Sequence, residues 1–505
     1  MSDLTSYKLS EYAQDMDKAN LLESQDPGSD PVITGLTYDS RNVFPGSLFV
    51  CKGRHFKKEY LLKAIDRGAV AYISEDNFQV ELPLLQVSDV RVSMPILAQR
   101  FYNHPEKDVE IIGITGTKGK STTACYLREI LNLWQLAEGA KEVAFISTID
   151  TYDGVDRFAS HLTTPEAIEL YMRLHNARSS GIKYLVMEVS SQGLKYNRLD
   201  GITYSAVAFL NISEDHISEI EHPDFDDYFR SKLRVFKHTS RAVIDLDQAE
   251  TALIRQAAND NNNRIYYYSR RNHAADVYAS NVLKTELGYS FDVTLPEGVY
   301  PFEIETPGQF NIDNALAAIS LARLLGCPVS FMQRGLKLAR TPGRMELFAT
   351  KDRKILALVD YAHNKLSFEK LFETASLDFP GYRQVIIFGC PGSKGISRRH
   401  DLGTAAGRLA DYIYLTEEDP RYEDVGEISR EIGRHIEAAG GSYEIIVDRK
   451  EAIRTAFDQA QEKTLLLIVG KGAETTQMRG DNYEEVQSDV SIVQELIAEY
   501  DRHNP

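Results

Sequence analysis

The stretch at residues 111–123, IIGITGTKGKSTT, constrains this chain more than any other. It opens on a β-branched run, turns on Gly113, Gly116 and Gly119, and then meets Lys120, Ser121 and Thr122. From Thr123 onward Ala124, Leu127, Ile130 and Leu131 recur at helical spacing, so the pattern predicts strand, glycine turn and helix. That layout makes a phosphate-binding loop. Glycines let backbone N–H groups curl round phosphate oxygens, while a lysine and a helix N-terminus supply positive charge. A hydroxyl directly after the lysine is placed to meet a magnesium ion. The usual spacing asks for a glycine where Ile114 stands, so T-G-T-K-G-K-S is a variant of the loop. A glycine turn with an incidental lysine is the bland alternative, and the strand–turn–helix setting argues against it. The stretch predicts a nucleotide site.

A chain of 505 residues exceeds what one core can organise, and two to four domains is the natural expectation. Its formal net charge of −17 argues against a nucleic-acid grip, which needs a basic face, but leaves room for a local cationic pocket. Cys51, Cys125, Cys327 and Cys390 are scattered without metal-ligand spacing and read as small buried hydrophobes in a reducing compartment. No apolar run approaches the roughly 18 residues of a membrane span, so the expectation is a cytoplasmic protein that does not cross a membrane.

The expected fold class is α/β in three domains. A smaller N-terminal α/β domain covers 1–107, with short apolar runs at 47–51, 70–73 and 82–87 and a polar cluster, YDSR, at 38–41. The central domain, 108–340, carries the loop on a parallel sheet. Its strands at 184–189 and 205–210 end in Glu188 and in the run holding Asp215 and His216, where a metal is commonly held. The runs RIYYYS, ADVYASNV, SFDVTL and YPFEIE alternate and predict an antiparallel extension of that sheet. From 341 to 505 strands alternate with helical patterns, which predicts a Rossmann-like, doubly wound sheet with a ligand across its strand ends.

Eight motifs then stand in one order: T-G-T-K-G-K-S, L-T-T-P-E, M-E-V-S-S-Q, N-I-S-E-D-H, G-x-F-N-x-x-N-A, P-G-R-M-E, D-Y-A-H-N and G-K-G-x-E. Together the chain resembles the Mur ligases, ATP-dependent enzymes that add amino acids to the UDP-N-acetylmuramoyl peptide precursor of peptidoglycan, from residue 38 to about 489. The resemblance implies a UDP-substrate-binding first domain, a central ATP-binding domain and a C-terminal amino-acid-binding domain. It puts Ser40, Arg41, Thr163, Thr164, Ser190 and Arg198 on the UDP-muramoyl-peptide acceptor. It puts Gly116, Thr117, Lys118, Gly119, Lys120, Ser121, Thr122, Asn311, Arg344, Asp360 and His363 on ATP. Ser121, Glu188 and His216 would surround Mg²⁺, and Lys120, Glu188, His216 and Lys232 would form the catalytic set. Lys232 would be N6-carboxylated, giving a further metal-ligating carboxylate.

For the incoming amino acid the resemblance points to Lys394, Glu418, Asp419, Arg421, Gly470 and Glu474. Two departures mark this sequence. Lys394 stands where many relatives carry an arginine for the amino acid's carboxylate, a role Arg398 or Arg399 is placed to share, and Ala473 replaces a common histidine. The implied reaction makes an acyl phosphate from the acceptor's carboxylate and ATP, which the amine then attacks; closure of the third domain onto the second is expected to assemble the site. The residue expected to be added is the third of the peptide, L-lysine. Glu417, Glu418, Asp419 and Glu474 would welcome an ε-ammonium and repel the second carboxylate of meso-diaminopimelate, the alternative that the retained Arg421 keeps open. The phrases HFKKEYLL, IEHPDF and DPRYED also look like the lysine-adding branch. A folylpolyglutamate-synthetase-like ligase would lack a leading UDP-binding domain. A non-catalytic nucleotide binder would be expected to have lost one of Lys120, Glu188, His216 and Lys232. Small-molecule substrates, no nucleic acid and a monomer complete the expectation.

Overall fold

The computed structural model describes residues 5–25, 29–53, 56–160, 162–214, 217, 221–393, 395–460 and 463–504. Two compact units result, Met1–Tyr278 with Ala317–Met332, and Ala279–Leu316 with Gln333–Pro505. The first unit begins with a five-stranded sheet in the order Leu22–Gln25, Leu84–Val87, Ala69–Ser74, Ser47–Val50, Gly35–Thr37. Its neighbours run parallel except at the Leu22–Gln25 edge. Strand alternation sorts the side chains between two faces. Leu48, Val50, Ala71 and Ile73 pack with the helices Leu9–Lys18 and Val90–Phe101, while Phe49 and Tyr72 pack with the helix Lys58–Asp66.

The central sheet of the same unit places Glu110–Thr115 between Tyr184–Glu188 and Tyr204–Phe209, all parallel. An unbroken apolar strand belongs in that position, covered on both faces, and Ile111, Ile112 and Ile114 are at most 1% exposed. Ala144–Ile146 flanks it on one side, and Arg241–Asp245 followed by Arg264–Ser269 on the other. The two sheets of this unit are not separate bodies. Leu97 and Phe101 lie in one apolar cluster with Leu170, Leu174, Leu185 and Met187. Gln99 donates to the Tyr171 hydroxyl at 2.9 Å, and Arg178 to the Asn103 carbonyl at 2.8 Å, across the same seam.

RIYYYS does not begin the antiparallel extension. Arg264–Ser269 pairs in parallel with Arg241–Asp245, and Val277 and Tyr278 continue in parallel beside it. Alternation reports that one face of a strand is open to water, and it is silent about the direction of the neighbour. The hairpin Tyr289–Leu295 with Gly298–Ile304, in the second unit, is antiparallel, as is the sheet's other edge, where Asp150–Tyr152 pairs with Ala144–Ile146 and Arg157–Ala159.

The second unit also holds a six-stranded sheet in the order Glu346–Ala349, Ile355–Asp360, Thr464–Val469, Arg383–Phe388, Tyr412–Leu415, Tyr443–Ile445. Only the Glu346–Ala349 edge is antiparallel. Helices Lys365–Asp378, Ser397–Leu409 and Val425–Ala438 cover one face, and Arg449–Asp458 and Asp489–His503 the other. Four of them start where the sequence supplies a capping side chain, Asn364, Asp424, Asp448 and Ser488, each accepting a backbone N–H three residues on. The chain leaves Thr464–Val469 toward the face opposite to that chosen by both neighbouring strands. The carboxyl end of that strand is therefore a switch point, where open α/β sheets bind ligands. Among the described residues no helix is long and apolar enough to cross a membrane.

Candidate active site

The loop after Glu110–Thr115 turns into the helix Lys120–Ala137 at Gly119, whose φ of 85° is a conformation that side chains resist. Gly116 runs so close to the next strand end that a Cβ there would stand 3.0 Å from that of Leu210. Asn211 clamps the loop: its carbonyl accepts the Thr117 N–H at 3.0 Å, its Oδ1 the Lys118 N–H at 2.9 Å, and its Nδ2 donates to the Lys118 carbonyl at 3.0 Å. Lys120 Nζ donates to the carbonyls of Gly116 (2.9 Å) and Thr117 (3.1 Å). Lys232, 2% exposed on the helix Phe225–Leu233, donates to the same Gly116 oxygen at 2.9 Å. Two lysines distant in sequence thus meet at one loop carbonyl. Tyr228 stands with them, its hydroxyl 3.1 Å from Thr117 Oγ1 and its ring 4.8 Å from Lys232 Nζ.

Glu188 ends the adjacent strand in register with Ile114 and is 1% exposed. Its Oε1 accepts the N–H and the hydroxyl of Thr148 at 3.0 and 3.1 Å, and Thr148 Oγ1 lies 2.9 Å from Ser121 Oγ. Its Oε2 is buried without a hydrogen-bond partner. A spare carboxylate oxygen near two hydroxyls is a hard-oxygen donor set that fits Mg²⁺. Among the described residues no cluster of three His, Cys, Asp or Glu forms a metal site; Asp215 and His216 lie outside them. Thr148, in no recognisable motif, escaped the sequence reading.

Thr164 binds the end of the Glu188 strand, donating to the Glu188 carbonyl and accepting the Ser190 N–H, both at 3.0 Å. Ser190 Oγ caps the helix Ser191–Lys195. Arg198 donates to the Thr164 carbonyl at 3.0 Å and meets Glu166 Oε1 at 2.9 Å. Thr163 is half-buried beside them. Ser40 and Arg41 follow the end of Gly35–Thr37; Arg41 is exposed and forks onto Asp39, whose carboxyl its hydrogen bonds hold below the usual range.

In the second unit Asn311 is turned inward, 1% exposed, donating to the Pro307 carbonyl at 2.6 Å and accepting from Asn314 at 2.9 Å. Arg344 lies over the Tyr361 ring at 4.2 Å, Asp360 accepts the Met345 N–H at 2.8 Å, and His363 Nδ1 is 2.8 Å from the Tyr361 carbonyl. Lys394 lies outside the described residues. Arg399 is 4% exposed and pairs with Glu431 and Glu423 at 2.6 and 2.7 Å, its Nε buried without a hydrogen bond.

The acidic group around 417–419 is less negative than its sequence suggests. Arg479 pairs with Glu417 at 2.5 Å, and Lys471 holds both Asp419 (2.9 Å) and Glu474 (2.7 Å). Glu418 alone is left, and burial, with Asp419 adding to it, pushes its carboxyl up to about 7 against the pull of Arg449, Lys471 and Arg398. Gly470 lies against it, since a Cβ there would be 3.1 Å from Glu418 Oε2. Arg421 takes a φ of 54° and is tied by its backbone to Met478 and Gly480 of the hairpin Thr476–Arg479 with Asn482–Glu485. Its guanidinium has no ion-pair partner among the described residues, and its Nε is buried without a hydrogen bond. Lys471 was legible in G-K-G-x-E as a cation at a strand end; Arg449 and Arg479 carried no such signal.

Residues 114–322 match the Mur ligase middle domain, and residues 343–472 the Mur ligase glutamate ligase domain. The chain is 36% identical to the UDP-N-acetylmuramoyl-L-alanyl-D-glutamate--L-lysine ligase of Streptococcus mutans serotype c, over 92% of each chain. It is 34% identical to a UDP-N-acetylmuramyl-tripeptide synthetase of Ligilactobacillus salivarius, over 96% of this chain and 98% of that one. Among solved structures, a UDP-N-acetylmuramoyl-L-alanyl-D-glutamate 2,6-diaminopimelate ligase matches with a TM-score of 0.67 and 26% identity, covering 98% of this chain and 100% of that one. A folylpolyglutamate synthase of Mycobacterium tuberculosis shares the fold at a TM-score of 0.60 and 15% identity, covering 75% of this chain and 92% of its own.

Proposed function

The chain belongs to the Mur ligase family, and on that premise we propose that it is the ATP-dependent ligase joining L-lysine to UDP-N-acetylmuramoyl-L-alanyl-D-glutamate. The observation that carries the chemistry is Lys120 laid along its glycine loop on the Gly116 carbonyl, beside a strand that ends in the half-satisfied carboxylate of Glu188. Phosphoryl transfer needs positive charge and oriented N–H groups at one place, and no protein nucleophile. The work divides over three domains: 1–107 with Ser40 and Arg41 holds the UDP end of the acceptor, 108–340 the ATP, and 341–505 the amino acid. Thr163, Thr164, Ser190 and Arg198 hold the acceptor's peptide.

In the reaction the acceptor's terminal carboxylate attacks the γ-phosphorus of ATP, ADP departs, and an acyl phosphate forms. The lysine amine then attacks the acyl carbon, loses a proton, and inorganic phosphate leaves. Lys120 exchanges its two loop carbonyls for phosphate oxygens, and backbone N–H groups at the helix start complete the cradle. Ser121 and Glu188 would hold Mg²⁺, with His216 and an N6-carboxylated Lys232, and the ion would neutralise charge on the moving phosphoryl group. Arg344, Asp360 and His363 serve the adenosine and phosphate side; the inward-turned Asn311 would serve it only by shaping the helix start.

For the amino acid, Glu418 is the one carboxylate of its group with no cation in contact among the described residues, and it suits an ε-ammonium. Two relatives of streptococcal origin bear the L-lysine name at 36% identity, which supports the same choice. One observation favours meso-diaminopimelate instead: the unpaired Arg421 guanidinium could take a second carboxylate. The deciding measurement is kcat/KM for each amino acid with the same UDP-muramoyl dipeptide and ATP. A preference for meso-diaminopimelate would overturn the lysine assignment and make Arg421 the specificity residue.

A further inference from the structure

Glu166 precedes the helix Ala167–Ser179, where a side chain would ordinarily cap, yet it makes no capping hydrogen bond. Its Oε1 instead receives two cations, Lys52 at 3.0 Å and Arg198 at 2.9 Å. Lys52 arrives from the N-terminal sheet, just past the end of Ser47–Val50, and Arg198 from the turn between the helix Ser191–Lys195 and the central strand Tyr204–Phe209. All three side chains are at least four-fifths buried, with 19%, 10% and 11% of their surface exposed. Lys52 has a second hold, the ring of Tyr38 at 4.4 Å, so its place does not depend on Glu166 alone. Arg198 keeps a buried Nε with no partner. Arg91 adds a further cation nearby, over the Tyr196 ring at 4.4 Å. Two cations thus share one carboxylate oxygen in a place largely closed to water, where a further anion is the natural complement of the Arg198 donors left over.

We propose that Lys52 is a positioning residue for acceptor binding: by sharing the Glu166 oxygen it keeps Arg198 from being neutralised in an exclusive pair, and so leaves that guanidinium free for a carboxylate of the acceptor. This rests on the reading of Arg198 as an acceptor-binding residue. A carboxylate oxygen that accepts from two cations binds each less tightly than it would bind one, so removing Lys52 strengthens the Arg198–Glu166 tie. The acceptor's carboxylate must then compete with Glu166 for the guanidinium. Removing the Glu166 charge as well ends that competition, so two changes should do less harm than one.

The test is steady-state kinetics of the full chain, with KM measured separately for the UDP-muramoyl dipeptide, ATP and the amino acid. Lys52→Met should raise the dipeptide KM about tenfold with the ATP KM unchanged. Glu166→Gln alone should leave the dipeptide KM at or below that of the parent. The double variant should return to within about threefold of the parent, and Lys52→Arg should restore it. A double variant worse than Lys52→Met, or a higher dipeptide KM for Glu166→Gln, would mean that Glu166 merely holds two domains together, and would overturn the proposal. If Lys52→Met does not fold, the Glu166→Gln result decides alone. Arg198→Ala separates the layers: a raised dipeptide KM there with none in Lys52→Met sinks this inference only, whereas an unchanged KM in Arg198→Ala removes the acceptor role on which it rests.

Discussion

Lys120 stands at a helix start, bonded to carbonyls of its own loop rather than set in the apolar core. Lys120→Ala should lower kcat/KM by about a thousandfold or more, the scale expected when a preorganised charge on a transferring phosphoryl group is lost. Thermal denaturation should barely move; activity near that of the parent would remove this loop from the ATP site. Glu418 makes a second prediction through its raised carboxyl. With the folded value near 7, it is largely protonated at pH 6 and ionised at pH 8. The lysine ε-amine stays charged throughout that range. The KM for L-lysine should therefore fall as pH rises through about 7, and Glu418→Gln should flatten the profile. Stability moves the other way. Because the folded value lies above the unfolded one, this group's contribution is fully present below the ordinary glutamate range and is lost as pH rises through about 7. A lysine KM that ignores pH in the parent would release Glu418 from the ε-ammonium.

Helices Ser397–Leu409 and Val425–Ala438 meet at Gly403 and Gly407, where an added Cβ would stand 2.8 Å from the carbonyl oxygens of Ile432 and Ile436. Neither glycine has a positive φ. Close approach of two backbones is what they allow. Gly407→Leu should destabilise the protein by about 1–3 kcal/mol, the usual cost of overpacking a close contact, and calorimetry should show a lowered Tm. An unaltered Tm would mean that the two helices part without cost. The contact matters to function because the first of these helices carries Arg399, whose ion pair with Glu423 braces the loops on either side of the amino-acid residues.

For the molecule as a whole, residues 1–107 keep a small core of their own on one face of their sheet, around Phe49, Leu61 and Tyr72, but share the core on the other face. Leu97 and Phe101 share an apolar cluster with Leu170 and Leu174. A chain lacking residues 1–107 should expose that surface, bind a hydrophobic dye and lose cooperative unfolding. A soluble 108–505 fragment with a sharp thermal transition would contradict this.

The sequence by itself determined the chemistry. The loop, the strand-end glutamate and the doubly wound C-terminal sheet were all legible, because glycine turns and apolar periods are local signals. Tertiary structure alone decided which charges meet. Nothing in the order of residues brings Lys232 to the Gly116 carbonyl or sets Lys52 and Arg198 on one oxygen of Glu166. Nor does it tell that Lys471 and Arg479 contact Glu417, Asp419 and Glu474 and leave Glu418 without an ion pair, or that Glu431 and Glu423 pair with Arg399. An electrostatic pairing depends on a few ångströms between side chains on different elements, and that distance exists only once the sheets are assembled.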